Sequence, residues 1–201
     1  QTCALPIWEN LEIRDGFFRN DEELQSIAGV AGPIAADLRK KGFSVKFDDR
    51  DNQKPGFKFA EYELKGVPVR IAIGPRDVAN GTVEIARRDT REKSVKPVSE
   101  ISTFIPALLD EIQANIYKRA LDFRTRMTSR VDSWEEFKKV LDEKGGFISA
   151  HWDGTTETEA AIKDETKATI RCIPLDTEDE AGTCVFSGKP SARRVLFARA
   201  Y

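Results

Sequence analysis

Residues 67–73, VPVRIAI, alternate with the period of a β-strand. Successive strand side chains point to opposite faces. Val67, Val69, Ile71 and Ile73 therefore share a face that a core must cover, and Pro68, Arg70 and Ala72 share the other. Pro68 has no N–H, which favours an edge position or a strand start. The pattern predicts Arg70 on the open face of a sheet or near its edge. A core strand needs neither a central arginine nor flanks as polar as Lys65-Gly66 and Gly74-Pro75-Arg76-Asp77.

The flanking segments extend this strand into an α/β unit. Residues 21–41 predict a helix with Leu24, Ile27, Ala28, Ala31, Ile34 and Leu38 on one stripe, Asp21 as N-cap and Gly42 as stop. Gly32-Pro33 inside it predicts a kink or two shorter helices. FSVKF reads as a strand, DDRDNQKPG as a polar loop, FKFAEYELKG as a short helix, and TVEIARR as a strand with DTREK as its turn. From Ser99 a long helix is predicted to about Ser129, with Ile101, Ile105, Leu108, Ile112 and Ile116 facing one way. The order helix, strand, helix, strand, strand, helix predicts an α/β sandwich with a mixed sheet. A second, smaller α/β unit begins near Val131. Its helix SWEEFKKVLDEKGG uses Trp134, Phe137, Val140 and Leu141 and is capped by Ser133. FISAHW, ATIRCIP, GTCVF and RVLFARA read as strands, with TETEAAIKDETK as a helix between them.

Charge narrows the function. The 32 Lys and Arg are offset by 34 Asp and Glu, so bulk charge does not advertise a polyanion partner. Local clustering does: Arg50, Lys54, Lys58, Lys65, Arg70, Arg76, Arg87 and Arg88 fall within a short span. Asp48, Asp49, Asp51, Glu61, Glu63, Asp77, Glu84 and Asp89 interleave with them, and such carboxylates can accept from the Watson–Crick edge of guanine. Phe57, Phe59 and Tyr62 can stack on unpaired bases. Charge alone leaves open a solvated face of intra-sheet ion pairs. No apolar run approaches the roughly 18 residues of a membrane span. Three cysteines fit a reducing, cytoplasmic setting better than a disulfide framework. There is no Gly-rich phosphate loop, HExxH or nucleophile elbow. The one histidine, His151, lies in a strand-like stretch and is expected to pack or sit on the surface.

DDRDNQKPGFKFAEYELKGVPVRIAIGPRD followed by ARRDTREK closely resembles the anticodon-binding domain of prolyl-tRNA synthetases, more narrowly the archaeal/eukaryotic type. The ordered blocks are Asp49-Arg50-Asp51, Lys54-Pro55-Gly56, residues 63–68, 74–77 and 87–90. CVFSGKPSARRVLFARAY resembles the family's C-terminal domain. The resemblance implies a mixed-sheet class IIa anticodon-binding domain over 8–100, a connecting helix over 101–130 and a small α/β C-terminal domain over 131–201. It implies recognition of the tRNA(Pro) anticodon stem-loop, with Arg50, Lys54, Lys58, Glu63, Lys65, Arg70, Arg76, Arg87 and Arg88 on or near the RNA-facing surface. It implies a parent ligase, expected to be a homodimer, whose separate catalytic domain binds ATP and Mg; the present chain alone is expected to be non-catalytic. The other reading is a free-standing accessory or regulatory protein with the same domain. Tyr201 either folds back towards the parent's catalytic domain, as the resemblance suggests, or finishes its own last strand.

Many relatives hold zinc on four cysteines in the C-terminal domain. Here Cys184 stands near one such position, Phe186 and Ser187 near its partner, and WDGTTETEAAIK where the first pair would lie. Cys172, Cys184 and His151 have no ligand-like spacing, so a metal-free domain is expected, with Phe147, Trp152, Phe186 and Phe197 as core. QTCALPI back-translates to CAG-ACG-TGT-GCT-CTT-CCG-ATC, which looks like a sequencing adapter. Residues 1–7 are expected to be adapter-derived, the alternative being a genuine apolar first strand.

Overall fold

The computed structural model describes residues 2–6, 21–50, 53–175 and 179–200. They form two compact units, Gln1–Tyr117 and Lys118–Tyr201. In the first, β1 (Thr2–Pro6), β2 (Ser44–Asp48), β3 (Val69–Ala72), β4 (Thr82–Arg87) and β5 (Lys93–Pro97) make one sheet in the order β2-β1-β3-β4-β5. β1 runs parallel to β2 and β3, and β4 runs antiparallel to β3 and β5, so the sheet is mixed as expected. α1 (Asp21–Lys40), α2 (Pro55–Leu64), α3 (Pro75–Asn80) and α4 (Ile101–Arg126) complete the unit's helices, α4 running on into the second unit.

Val69, Ile71, Ile73, Val83 and Ile85 pack with Ile27, Ala31, Ile34, Ala35 and Leu38 of α1 and with Ile101, Ile105, Leu108, Leu109 and Ile112 of α4. Alternation along the strand thus sends Val69, Ile71 and Ile73 into the core as the sequence pattern predicts, whereas Val67, expected with them, precedes β3 and is only half-buried outside that core. The first half of α4 belongs to this core; Ile116, expected on the same stripe, is 48% exposed, and Ala28 is exposed as well. α1 continues through Pro33 as one helix, with Ala31, Ile34 and Ala35 buried around it.

One expectation is corrected here. β3 is an interior strand between β1 and β4, not an edge. Pro68 still obeys its chemistry, because it precedes the strand and offers its carbonyl to the Arg88 N–H at 2.9 Å. Thr2–Pro6 pairs as a sheet strand with β2 and β3. Pairing describes what these residues do in this chain and says nothing of their origin. Asp51 and Tyr201 lie outside the described residues.

In the second unit β6 (Thr128–Arg130), β7 (Phe147–His151), β8 (Ala168–Cys172) and β11 (Arg194–Arg199) form a sheet in the order β6-β7-β11-β8, and β9 (Gly182–Thr183) pairs with β10 (Pro190–Ser191). α5 (Trp134–Glu143) begins at Ser133, whose Oγ accepts from the Glu136 N–H at 3.2 Å. It buries Phe137 edge-on against Phe197, ring centroids 5.3 Å apart. Phe186, expected in the core, is 36% exposed and meets the edge of Trp134. GTCVF is a strand only over β9, because Cys184–Gly188 turns: Gly188 has a positive φ of 70° and its N–H donates to the Cys184 carbonyl at 3.0 Å. His151 is buried with Nδ1 3.1 Å from Ser191 Oγ, and a Cβ at Gly182 would overlap its ring.

Asp153 ties this turn to α6 (Thr156–Thr166). Its Oδ2 accepts from Ser187 Oγ at 2.6 Å and Thr158 Oγ1 at 2.8 Å, and its Oδ1 accepts from Thr155 Oγ1 at 2.8 Å and Thr155 N at 3.1 Å. Burial alone would raise this carboxyl, but the hydrogen bonds from Ser187, Thr158 and Thr155 outweigh it and hold its pKa at about 2. The ordinary carboxyl value is about 3.9, so the stabilisation is complete above about pH 4 and is lost as pH falls through about 2. Asp153→Ala is expected to cost about 2 kcal/mol in urea unfolding at neutral pH and to lose that penalty in acid. Elemental analysis of the same preparation is expected to find no stoichiometric zinc.

Candidate functional site

The sheet face opposite the α1–α4 core carries Arg70 and Ala86, paired across β3 and β4, and α2 lies over it. α2 starts at Pro55, whose fixed φ suits the first helical position. It ends at Gly66, φ 77°, with the Gly66 and Val67 N–H groups donating to the Glu63 and Tyr62 carbonyls. This double closure is a Schellman end. The Glu63 carbonyl also receives Arg88 Nε at 3.0 Å, a cation at the negative end of the helix.

Between α2 and the sheet lies a small open cleft lined by Phe59, Tyr62, Glu63, Val67, Arg70, Ala86, Arg87 and Arg88. Arg70 is not displayed on an open face. Its guanidinium carbon sits 3.2 Å from the Phe59 ring centroid and its side chain is 11% exposed. Nη1 is 3.8 Å from Glu63 Oε1, and the buried Nε has no hydrogen-bond partner. Burial lowers the Arg70 pKa from its ordinary value. A donor left unsatisfied in this way costs about 1–3 kcal/mol, which an incoming acceptor can recover.

Buried carboxylates hold the two walls. On one side Asp48, at the end of β2, accepts from Arg50 Nε at 2.9 Å and Nη2 at 2.7 Å and from Tyr62 Oη at 2.9 Å, with Lys58 Nζ 3.6 Å away. The Arg50 hydrogen bonds hold its carboxyl far below the usual range against the opposing effect of burial. Burial, then the bond to Asp48, pushes the Tyr62 hydroxyl up to about 12. Glu61 bridges Arg50 and Lys65 at 2.6 and 2.5 Å, and those hydrogen bonds, Lys65 first, lower its pKa. On the other side Asp89 accepts from Arg87 Nε and Nη2, both at 2.8 Å, and Arg87 Nη1 reaches Glu111 at 2.5 Å. The Arg87 bonds hold the Asp89 carboxyl far below the usual range.

The expected cations therefore separate by environment. Glu63, Arg70, Arg87 and Arg88 line the cleft. Arg50, Lys58 and Lys65 belong to the Asp48–Glu61 network beside it, Lys58 being buried. Lys54 and Arg76 are exposed and make no ion pair among the described residues. Asp77 does not pair with Arg76; it caps α3 through the Gly74 N–H at 2.9 Å. Intra-sheet ion pairs, left open by charge alone, account for several cations while Arg70 keeps an unused donor. Periodicity gave no sign of Glu111 or of Asn115, whose Nδ2 donates to Asp89 at 2.6 Å, because both reach the site from α4.

The mixed α/β unit with its cleft under α2 is a domain of the anticodon-binding class: residues 17–108 match the anticodon binding domain family. Residues 134–201 match the C-terminal domain family of prolyl-tRNA synthetase. The chain is 58% identical over 91% of its length to a proline–tRNA ligase of Flavobacterium johnsoniae, and 59% over 92% to one of Cytophaga hutchinsonii. It spans 37% and 38% of those relatives. The crystal structure of prolyl-tRNA synthetase from Cryptosporidium parvum complexed with L-proline and AMP superposes with a TM-score of 0.83 at 31% identity, over 100% of this chain and 40% of that one. The chain carries an anticodon-binding domain followed by the C-terminal domain of prolyl-tRNA synthetases.

The zinc set of some relatives does not fit. Cys184 is buried and its carbonyl accepts from the Gly188 N–H, and among the described residues no group of three His, Cys, Asp or Glu could hold a metal. Among those residues no helix is long and apolar enough to cross a membrane.

Asp48→Asn keeps the shape but removes the charge that Arg50 and Lys58 share. It is expected to cost roughly 3 kcal/mol of the first unit's stability in chemical unfolding. Asp49→Asn, one residue along, is expected to cost less than about 0.5 kcal/mol.

Proposed function

We propose that the cleft under α2 binds the anticodon loop of tRNA(Pro), as part of an archaeal/eukaryotic-type proline–tRNA ligase. The observation that carries this is Arg70, stacked on Phe59 with a buried, unpartnered Nε and the Glu63 carboxylate 3.8 Å from its Nη1. Proline anticodons end in two guanines. A guanine edge offers acceptors, which suit an arginine donor, beside N–H donors, which suit a carboxylate. Phe59 and Tyr62 add apolar rings against which a loop base can stack. Lys54, Lys65, Arg76 and Arg88, all exposed, supply phosphate attraction around it.

In this reading proline activation with ATP and Mg belongs to the part of the parent ligase that the chain does not span, and the parent works as a cytoplasmic homodimer. The present chain is then non-catalytic by itself and its C-terminal domain holds no zinc. Tyr201 contacts the parent's catalytic domain. An upstream catalytic domain in the same reading frame supports this parentage, whereas a start codon beside Trp8 would support a free-standing accessory protein.

The test is binding of an RNA hairpin with UGG in its loop. Phe59→Ala and Arg70→Ala are each expected to weaken it by about tenfold or more, as loss of a stacking partner does. Lys65→Ala should weaken all hairpins alike and flatten the salt dependence. Unchanged binding in both Arg70→Ala and Lys65→Ala would make the surface assignment wrong.

A further inference from the structure

α4 reaches the cleft's outer wall without lining it. Asn115 is half-buried, and its Nδ2 donates to Asp89 Oδ2 at 2.6 Å. The Asp89 side chain is buried and grips Arg87 through Nε and Nη2 at 2.8 Å. One helical turn before Asn115, Glu111 takes Arg87 Nη1 at 2.5 Å. Arg87 is followed directly by Arg88, whose N–H donates to the Pro68 carbonyl and whose Nε donates to the Glu63 carbonyl. Both arginines line the cleft. The end of β4 and the turn after it are therefore fixed from two directions, by α2 through Arg88 and by α4 through Asp89.

The buried Asp89 carboxylate has lone pairs beyond those the Arg87 fork takes, and the Thr90 backbone N–H is one further donor to it. Asn115 supplies a neutral donor there, without adding a second cation that would compete with Arg87. Without it, Asp89 has one fewer constraint on its rotamer, and the Arg87 fork follows the carboxylate it is paired with. We infer that Asn115 is a positioning residue for recognition in the cleft: it acts through Asp89 to set Arg87 and the adjacent Arg88, and touches no RNA itself. This rests on the cleft being the anticodon site. It makes α4 part of the recognition apparatus as well as of the core.

The test uses the 201-residue chain and two RNA hairpins, one with UGG and one with UAA in the loop. Dissociation constants for both give a guanine preference. A merely structural role would lower the melting temperature and leave that preference unchanged. Asn115→Ala is expected to reduce the preference by about fivefold to tenfold, on the scale of one hydrogen bond to a charged group, and to speed solvent exchange of the Arg87 Nε–H by NMR. Phe59→Ala serves as the reference. Weaker binding in Phe59→Ala with an unchanged preference in Asn115→Ala overturns this inference alone. Unchanged binding in Phe59→Ala overturns the RNA reading and this inference with it. If Asn115→Ala does not fold, Glu111→Gln, whose carboxylate is mostly exposed, carries the test: a reduced preference supports the α4 clamp and an unchanged one overturns it.

Discussion

The site depends on pairing arginine with buried carboxylate. Asp48 ends β2 and Asp89 lies in the turn just after β4, their side chains almost removed from solvent, and each takes a forked pair of hydrogen bonds from an arginine two residues away. A buried carboxylate is tolerated only when paired and hydrogen-bonded. Here that requirement fixes Arg50 and Tyr62 on one wall and Arg87 on the other. The strands bring the carboxylates to the sheet's end, and the carboxylates then shape the cleft.

Arg70 follows the opposite logic. It lies on an interior strand, stacked under Phe59, with Ala86 opposite it on β4. The small alanine leaves space, and the aromatic ring excludes water without supplying an acceptor for Nε. The outcome is a desolvated donor beside a mostly exposed carboxylate, Glu63. A surface made only of salt-bridged cations would have little residual attraction for a polyanion. One in which Arg70 keeps an unused donor, while Lys54 and Arg76 stay exposed, retains both an attractive field and a specific contact.

Much of this was legible because strand and helix periods are local. The alternation of VPVRIAI placed Val69, Ile71 and Ile73 in the core and Arg70 opposite, and the α4 stripe from Ile101 to Ile112 was equally clear. Sheet order is a long-range property, so Pro68 left open an edge position or a strand start, and only pairing across elements places it before the interior strand β3. α3 and β5 were missed: GPRDVAN is short and capped by Asp77, and Lys93–Pro97 exposes most of its side chains, leaving no apolar period to detect. The charge cluster was visible, but not which cations would be neutralised. That depends on Asp48, Glu61 and Glu111 meeting partners across elements. Asn115 carries no local signal at all, since its role exists only once α4 crosses the β4–β5 turn.

If the proposed function holds, RNA enters the cleft between α2 and the sheet. An NMR titration of the 201-residue chain with the UGG hairpin addresses it directly, following backbone amides and arginine Nε–H signals. The largest saturable changes are expected at Phe59, Tyr62, Glu63 and Arg88, with a new, protected environment for Arg70 Nε–H. Saturable binding that leaves those signals in place and moves only residues of another surface would contradict it.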